Sequence, residues 1–463
     1  MKQNLLQQAA ELAEKYRESA SSKRVFPDIT PDELRRRLAV SLTDDGVAAE
    51  EVLTELAAAA EPGLVASAGP RYFGFVIGGS LPVTTAADWL TSAWDQNAGL
   101  YATSPAASVA EEVAAAWLLD VLHLPETASV GFVTGGGTAN FTCLAAARHE
   151  VLRRAGWDVE QNGLPGAPEI NVVITDEAHA TIFSALRLLG LGAARVKRVP
   201  TDEQGRMMAS AFTRVLNSCS GPTIVSAQAG NVNTGSFDPL EEIIELAHKR
   251  DAWVHVDGAF GMWAAASDKL RHLARGFERA DSWAVDGHKW LNVPYDCGLA
   301  ICAHPAAHRG AMGISAAYLV QSKRERDNFD LTPEFSRRAR GFTVYAALRH
   351  LGRKGVSDLI ERGCARARQM AELLRKRPGV SILNDVVLNQ VLVRFHDSDE
   401  ATRAVIECVQ KDGTCWLGGT TWHGMAAMRI SVSNWSTSEK DAELSATSIA
   451  KAAASVKEAA AVR

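Results

Sequence analysis

A chain of 463 residues, 47% hydrophobic and 22% charged, has the make-up of a folded protein large enough for more than one domain. A formal net charge of −5 with no basic stripe argues against a nucleic-acid partner, and no stretch approaches the roughly 18 uninterrupted apolar residues of a membrane span. Seven cysteines, odd in number and without CxxC spacing, read as reduced thiols of a cytoplasmic protein with no metal site.

Residues 1–80 read as a helical segment. "MKQNLLQQAAELAEKYRESA" is amphipathic, with Leu5, Ala9, Leu12 and Tyr16 on one stripe and charges throughout. It lacks the apolar run and small-residue cleavage site of a signal peptide. In "TPDELRRRL" the order Thr-Pro-Asp-Glu predicts a helix start, with Thr30 at the N-cap and Pro31 at the first helical position. No strand pattern accompanies these helices, so their apolar faces call for an outside partner, such as the neighbouring subunit of an oligomer.

From about residue 104 helices and short apolar runs alternate. "SPAASVAEEVAAAWLLDVL" is a helix, "VGFVTGGG" a strand running into glycines, and "TANFTCLAAARHEVLRRAG" another helix. "INVVIT", "TIVSAQ", "AWVHVDGA", "SWAVDGH" and "GLAICA" follow as β-rich runs, several separated by helical stretches such as Pro239–Arg250. The alternation predicts an α/β domain over 81–353 with a mostly parallel central sheet covered by helices. Ligands in such sheets bind beyond the strand carboxyl ends, where Gly135, Asp257 and Lys289 fall. The pattern then changes to "SDLIERGCARARQMAELLRKR", "NQVLVRF", "DEATRAVIECVQKDG", "AMRISVSNW" and an Ala-rich terminal helix, a smaller α+β domain over 354–463.

Four features carry chemistry. "FVTGGGTANFT" is a strand, a glycine turn and a helix start, whose unpaired backbone N–H groups suit a phosphate. Asn140 at the third glycine position rules out a dinucleotide fingerprint, and no Gly-Lys-Ser/Thr makes it a P-loop. His179 in "ITDEAHATIF" follows another strand and opens a helix. Asp257 ends the apolar run of "AWVHVDGAF", and Lys289 in "ADSWAVDGHKWLNVPYD" follows another among Trp283, Ala284, Val285 and Trp290. A lysine amine able to form a Schiff base, with a carboxylate placed to keep a pyridine nitrogen protonated, is what pyridoxal phosphate (PLP) chemistry requires. Asp286 and Asp296 are expected to fix the lysine loop.

Together these segments resemble the group II pyridoxal-dependent decarboxylases, the family of aromatic-L-amino-acid and glutamate decarboxylases. The resemblance runs from about residue 70 to the C-terminus through "RYFGF", "TSPAASVAEE", the glycine turn, the histidine, "HVDGAFG", "DGHKWLNVPYDCG" and "SRRARG". It implies the aspartate aminotransferase-like, fold type I architecture of PLP-dependent transferases, and a homodimer onto whose partner the N-terminal segment packs. It makes Lys289 the Schiff-base lysine, Asp257 the partner of the ring nitrogen, and His179 the base stacked on the ring. Ala259 would underlie the ring, Gln228 would contact the cofactor, and Gly136, Gly137, Thr138 and His288 would surround the phosphate. Tyr72, Phe73, Phe75, Trp94 and Tyr101 are candidates for an aromatic substrate pocket and Phe329 for a substrate contact, with Tyr101, Gly341 and Phe342 serving the opposite subunit's site. The implied reaction is decarboxylation of an L-amino acid, aromatic in preference to acidic, to the amine and CO₂. A clamp on the substrate carboxylate would oppose that reaction, so Arg429 is expected to be structural.

The pattern departs from the family at several points. Gly137 stands where a phosphate-binding hydroxyl is usual, with Thr138 one place later, and "AQAGNVNTG" sets Gln228 and Asn231 where threonines are usual. The polar stretch "LVQSKRERDNFDLTPEFSRR" resembles the loop that closes over substrate, yet no tyrosine occurs between Tyr318 and Tyr345, and Phe329 is the nearest aromatic. In this family, losing the loop tyrosine can divert the reaction to aldehyde, ammonia and peroxide; alternatively His179 or a water supplies the proton. An aldehyde synthase, aldolase or transaminase, and a non-catalytic PLP-binding protein, are therefore the competing readings.

Overall fold

The computed structural model describes residues 5–314 and 325–461. The chain divides into two compact units: Gly78–Ala365 with Asn384–Gln390, and Met1–Ile77 with Arg366–Leu383 and Val391–Arg463.

The larger unit is built on a seven-stranded sheet. Its strands are β1 (Ser129–Val133), β2 (Asn171–Thr175), β3 (Lys197–Val199), β4 (Thr223–Gln228), β5 (Trp253–Asp257), β6 (Ser282–Asp286) and β7 (Gly298–Cys302), in the order β1-β7-β6-β5-β4-β2-β3. Every residue of β4 to β7 is buried, which is why these segments are continuous apolar runs and not alternating ones. Neighbours among β3, β2, β4, β5 and β6 pair parallel, while β7 runs antiparallel to both β6 and β1. Two reversals restore direction, so β1 points the same way as β6. The carboxyl ends of β1, β2, β4, β5 and β6 therefore lie along one edge of the sheet. Those five ends carry the glycine turn, His179, Gln228, Asp257 and Lys289.

The helix Gly136–Arg154 lies against this sheet. Its Leu144, Ala145, Ala146, Ala147 and Val151 join Val172, Ile174, Ile224 and Trp253 in one core cluster, the alanines allowing close approach. Burying each large aliphatic side chain contributes roughly 1.5–3 kcal/mol. The outer edge of β1 is blunted from within the chain: Arg326 donates to the Val130 carbonyl and Arg337 to that of Phe132, while Arg337 also pairs with the fully buried Glu111.

In the smaller unit β8 (Val380–Ile382), β9 (Gln390–Phe395), β10 (Gly418–Trp422) and β11 (Met425–Ser431) form a sheet in the order β10-β11-β9-β8. The helices Asp399–Asp412 and Glu439–Ala461 belong to the same unit. Near its N-terminus are the helices Leu5–Ser19, Pro31–Leu38 and Ala49–Ala60. Thr30 caps the second of these, accepting the Glu33 N–H at 3.2 Å with Pro31 in the first turn, as its sequence predicts. None of the three helices has a fully buried residue. No helix of the described residues is long and apolar enough to cross a membrane.

Candidate active site

The glycine turn occupies the end of β1. Gly135 precedes the helix that begins at Gly136, so the N–H groups of the first turn have no intrahelical acceptor. Thr134 and Thr138 share a hydroxyl–hydroxyl bond of 2.7 Å across the turn. A Cβ on Gly136 would lie 2.7 Å from Asp286 Oδ2, and one on Gly135 would lie 2.9 Å from the His288 ring. Glycine is therefore required here because the turn sits directly on the end of β6.

The end of β6 presents Lys289. Its Nζ is 2.9 Å from Asp286 Oδ2, and Asp286 is only 1% exposed. Asp286 Oδ1 has no hydrogen-bond partner among the described residues and lies 3.6 Å from His288 Nε2. His288 Nδ1 accepts the Cys297 N–H at 3.1 Å, which leaves the proton on Nε2, facing Asp286. Burial lowers the His288 pKa against the opposing pull of the Asp286 carboxylate, favouring the neutral ring. Asp296 pairs with Arg340 at 2.8 Å, fixing the segment beyond the lysine. Gly78 approaches from below: a Cβ there would be 1.6 Å from the Lys289 carbonyl oxygen.

The end of β5 presents Asp257, 6% exposed. Its Oδ1 accepts the Ala259 N–H at 3.3 Å and its Oδ2 accepts Asn140 Nδ2 at 3.2 Å. The same Asn140 Nδ2 donates to Thr181 Oγ1 at 3.1 Å, and that hydroxyl is 2.9 Å from His179 Nδ1. Gly137 faces the Thr181 methyl group, 3.7 Å from where a Cβ would sit. The Ala259 carbonyl accepts the Asp286 N–H at 2.8 Å, linking the ends of β5 and β6. Gln228, in register with Asp257 on β4, donates from Nε2 to the Glu177 carbonyl at 2.7 Å. Asn231 spends its Oδ1 on the N–H groups of Asn233 and Thr234, at 2.9 and 3.2 Å, shaping its own turn.

Gly136, Gly137, Thr138, His179, Gln228, Asp257, Ala259, His288 and Lys289 are thus gathered at one sheet edge. The aromatic candidates fall in both units. Tyr72 and Phe75 stack on Trp416 at 5.0 and 5.5 Å within the smaller unit, and Phe73 is 1% exposed. In the larger unit Trp94 meets Phe342 edge-on at 5.0 Å, and the Tyr101 N–H donates to Asp327 at 2.8 Å. Phe329 is 1% exposed, its ring 5.1 Å from that of Phe335. Arg429 sits on β11, paired with Gly418, and burial lowers its pKa. Tyr318 and the stretch 315–324 of the substrate-loop segment lie outside the described residues.

These residues suit a phosphorylated pyridine aldehyde: a primary amine at the rim, a donor-rich glycine turn beside it, and a buried carboxylate on the adjacent strand. The whole chain points the same way. Residues 31–396 match the model of the pyridoxal-dependent decarboxylase conserved domain. The chain belongs to the pyridoxal-dependent decarboxylase family. It is 28% identical to tryptophan decarboxylase 1 of Oryza sativa subsp. japonica, over 92% of this chain and 88% of that one. It is 29% identical to the aromatic-L-amino-acid decarboxylase of Bacillus atrophaeus, over 87% and 84% of the two chains. The crystal structure of Oryza sativa TDC with PLP and tryptamine superposes with a TM-score of 0.91 at 25% identity, covering 97% of each chain. The fold is accordingly fold type I, the cofactor PLP, and the activity that of an amino-acid carboxy-lyase.

Proposed function

We propose that this chain decarboxylates an L-amino acid with an aromatic side chain, releasing the corresponding amine and CO₂. The observation that carries the reading is the meeting of Lys289, Asp257 and the Gly136–Thr138 turn along one sheet edge, in a chain two of whose relatives, each aligned over more than four fifths of both chains, are named for aromatic substrates. When bound, PLP supplies the electron sink that accepts the bonding pair left behind as CO₂ departs.

The protein's part is to hold and to polarise. Lys289 would attach the cofactor through its amine. The N–H groups of Gly136, Gly137 and Thr138 would hold the phosphate, the helix dipole adding to their attraction. Asp257 would accept the proton-bearing ring nitrogen, Ala259 would underlie the ring, and His179 would cover its other face. Gln228 would contact the ring substituents from β4. His288, neutral and donating from Nε2, would position Asp286 and the phosphate end.

Two assignments follow for the assembly. The N-terminal helices, with Leu6 70% and Leu56 56% exposed, would be covered by a second copy in a homodimer. Seven cysteines, none of them in a disulfide, suit the reducing cytoplasm.

The test is a panel of L-amino acids, aromatic and acidic, scored for CO₂, amine, aldehyde and peroxide. Equimolar CO₂ and amine from an aromatic substrate is the expected result. Aldehyde with peroxide would move the chain to the aldehyde synthases, and turnover of acidic substrates alone would overturn the aromatic assignment.

A further inference from the structure

A second network lies behind the cofactor-facing residues, in the interior of the larger unit. Asn140 is 1% exposed on the helix after the glycine turn, His255 is 0% exposed on β5, and Ser282 is 0% exposed on β6. Trp253 Nε1 lies 3.0 Å from Ser282 Oγ, Ser282 Oγ lies 3.1 Å from His255 Nδ1, and His255 Nε2 lies 2.9 Å from Asn140 Oδ1. Asn140 Nδ2 then reaches Asp257 and Thr181, and Thr181 reaches His179.

The direction of every bond in this chain is determined. An indole N–H can only donate, so Ser282 Oγ accepts from Trp253 and has its own proton free for His255 Nδ1. At the other end a carboxylate can only accept, so Asn140 turns its NH₂ group to Asp257 and its Oδ1 to His255, whose proton therefore sits on Nε2 and leaves Nδ1 as the acceptor. Burial lowers the His255 pKa to about 4 against the opposing charge of Asp257, so the ring is neutral and carries that single proton. The amide oxygen being committed to His255, its NH₂ group faces Asp257 and Thr181. The flipped amide would set two acceptors, the Asn140 oxygen and Asp257 Oδ2, 3.2 Å apart with no proton between them. Thr181 Oγ1, accepting from Asn140, has its proton free for His179 Nδ1, and the Thr181 N–H also points at that nitrogen at 3.3 Å. His179 is thereby held with its proton on Nε2.

We propose that Asn140, oriented by His255, is the positioning residue that sets Asp257 as an acceptor toward the cofactor's ring nitrogen and, through Thr181, fixes the tautomer of His179. One amide thus governs both residues assigned above to the cofactor ring. The inference rests on that assignment of Asp257 and His179, and the wild-type control separates the two.

The experiment uses holoenzyme loaded with PLP labelled with ¹⁵N in the ring, reading the nitrogen chemical shift, PLP affinity, and kcat against KM. Wild type is expected to show the shift of a protonated ring nitrogen; an unprotonated nitrogen there would overturn the Asp257 assignment itself. Asn140→Leu and His255→Leu should move the shift toward the unprotonated value, weaken PLP binding about tenfold and lower kcat with KM within about threefold. His255→Gln keeps an N–H at the position of Nε2 and should restore the wild-type shift. Ser282→Ala, at the far end, reads the network even where Asn140→Leu does not fold; it should give a smaller displacement of the same sign. Folded, PLP-loaded His255→Leu and Ser282→Ala proteins with a wild-type nitrogen shift would overturn the proposal, whatever their thermal stability, because a purely structural role would alter melting and leave the nitrogen unchanged.

Discussion

Adding one methyl group at Gly78 should disable the lysine loop. The built Cβ would lie 1.6 Å from the Lys289 carbonyl oxygen and 2.7 Å from its carbon, both of them backbone atoms with no rotamer to turn away. Ordinary contact begins at 3.4 Å, so the two segments must part by about 1.8 Å (3.4 − 1.6). The same segment is tied to the loop by the Leu81 N–H and Thr84 Oγ1, which donate to the Asn292 carbonyl at 2.9 and 3.1 Å. Overpacking contributes roughly 1–3 kcal/mol of destabilisation, and loosening two hydrogen bonds about 0.5–1.5 kcal/mol each. The total, roughly 2–6 kcal/mol, is a large part of a typical folding free energy. A reacting amine displaced by more than about 1 Å also loses on the order of 10²-fold in rate. Gly78→Ala is compared with wild type by thermal denaturation, by the visible absorbance of bound PLP, and by kcat. Gly46→Ala, with nothing within 4 Å of its Cβ, is the control and should behave as wild type. A Gly78→Ala protein with unchanged midpoint, absorbance and kcat would refute the claim that this glycine supports Lys289.

Asp257→Asn should lower kcat about 10- to 1,000-fold, the equivalent of a ring-nitrogen pKa lower by roughly 1–3, while PLP content falls far less; equal losses in both would assign the residue to binding alone. Stability should fall on acidification through His255. Its unfolded pKa near 6.5 exceeds the folded value of about 4, so between those values the unfolded chain binds a proton that the folded chain does not. The full stability is present above that window and about 3 kcal/mol is lost as pH descends through it; His255→Gln should flatten the melting midpoint over that range, and an unchanged slope would contradict the assignment. Arg337→Met would strand the 0%-exposed Glu111 carboxylate and should destabilise the fold by about 3–5 kcal/mol in equilibrium denaturation, whereas a loss below about 1 kcal/mol would show that the pair is dispensable.

The central strands were legible because each is buried on both faces and therefore reads as an uninterrupted apolar run bounded by turn residues. β3, β8 and β10 were not legible. The first is a three-residue edge strand reading Lys-Arg-Val, the second is another three-residue edge strand without a fully buried residue, and the third opens on two glycines. Lys289, Asp257 and His179 stood out because polar residues that end apolar runs in an α/β pattern fall at the ligand-binding edge. Asn140, Thr181, His255 and Gly78 escaped notice for a common reason. Their importance lies in contacts between segments far apart in sequence, 115 residues in the case of His255 and Asn140, and neither composition nor periodicity encodes such a contact. Asn140 drew attention only as a break in a glycine pattern.

Borohydride reduction of the PLP-loaded protein followed by peptide mapping tests the role of Lys289 most directly. A single phosphopyridoxyl-modified residue, Lys289, is expected, in the peptide that spans His288 and Trp290. Modification at another lysine, with Lys289 recovered unmodified from protein that releases CO₂ from its substrate, would contradict it.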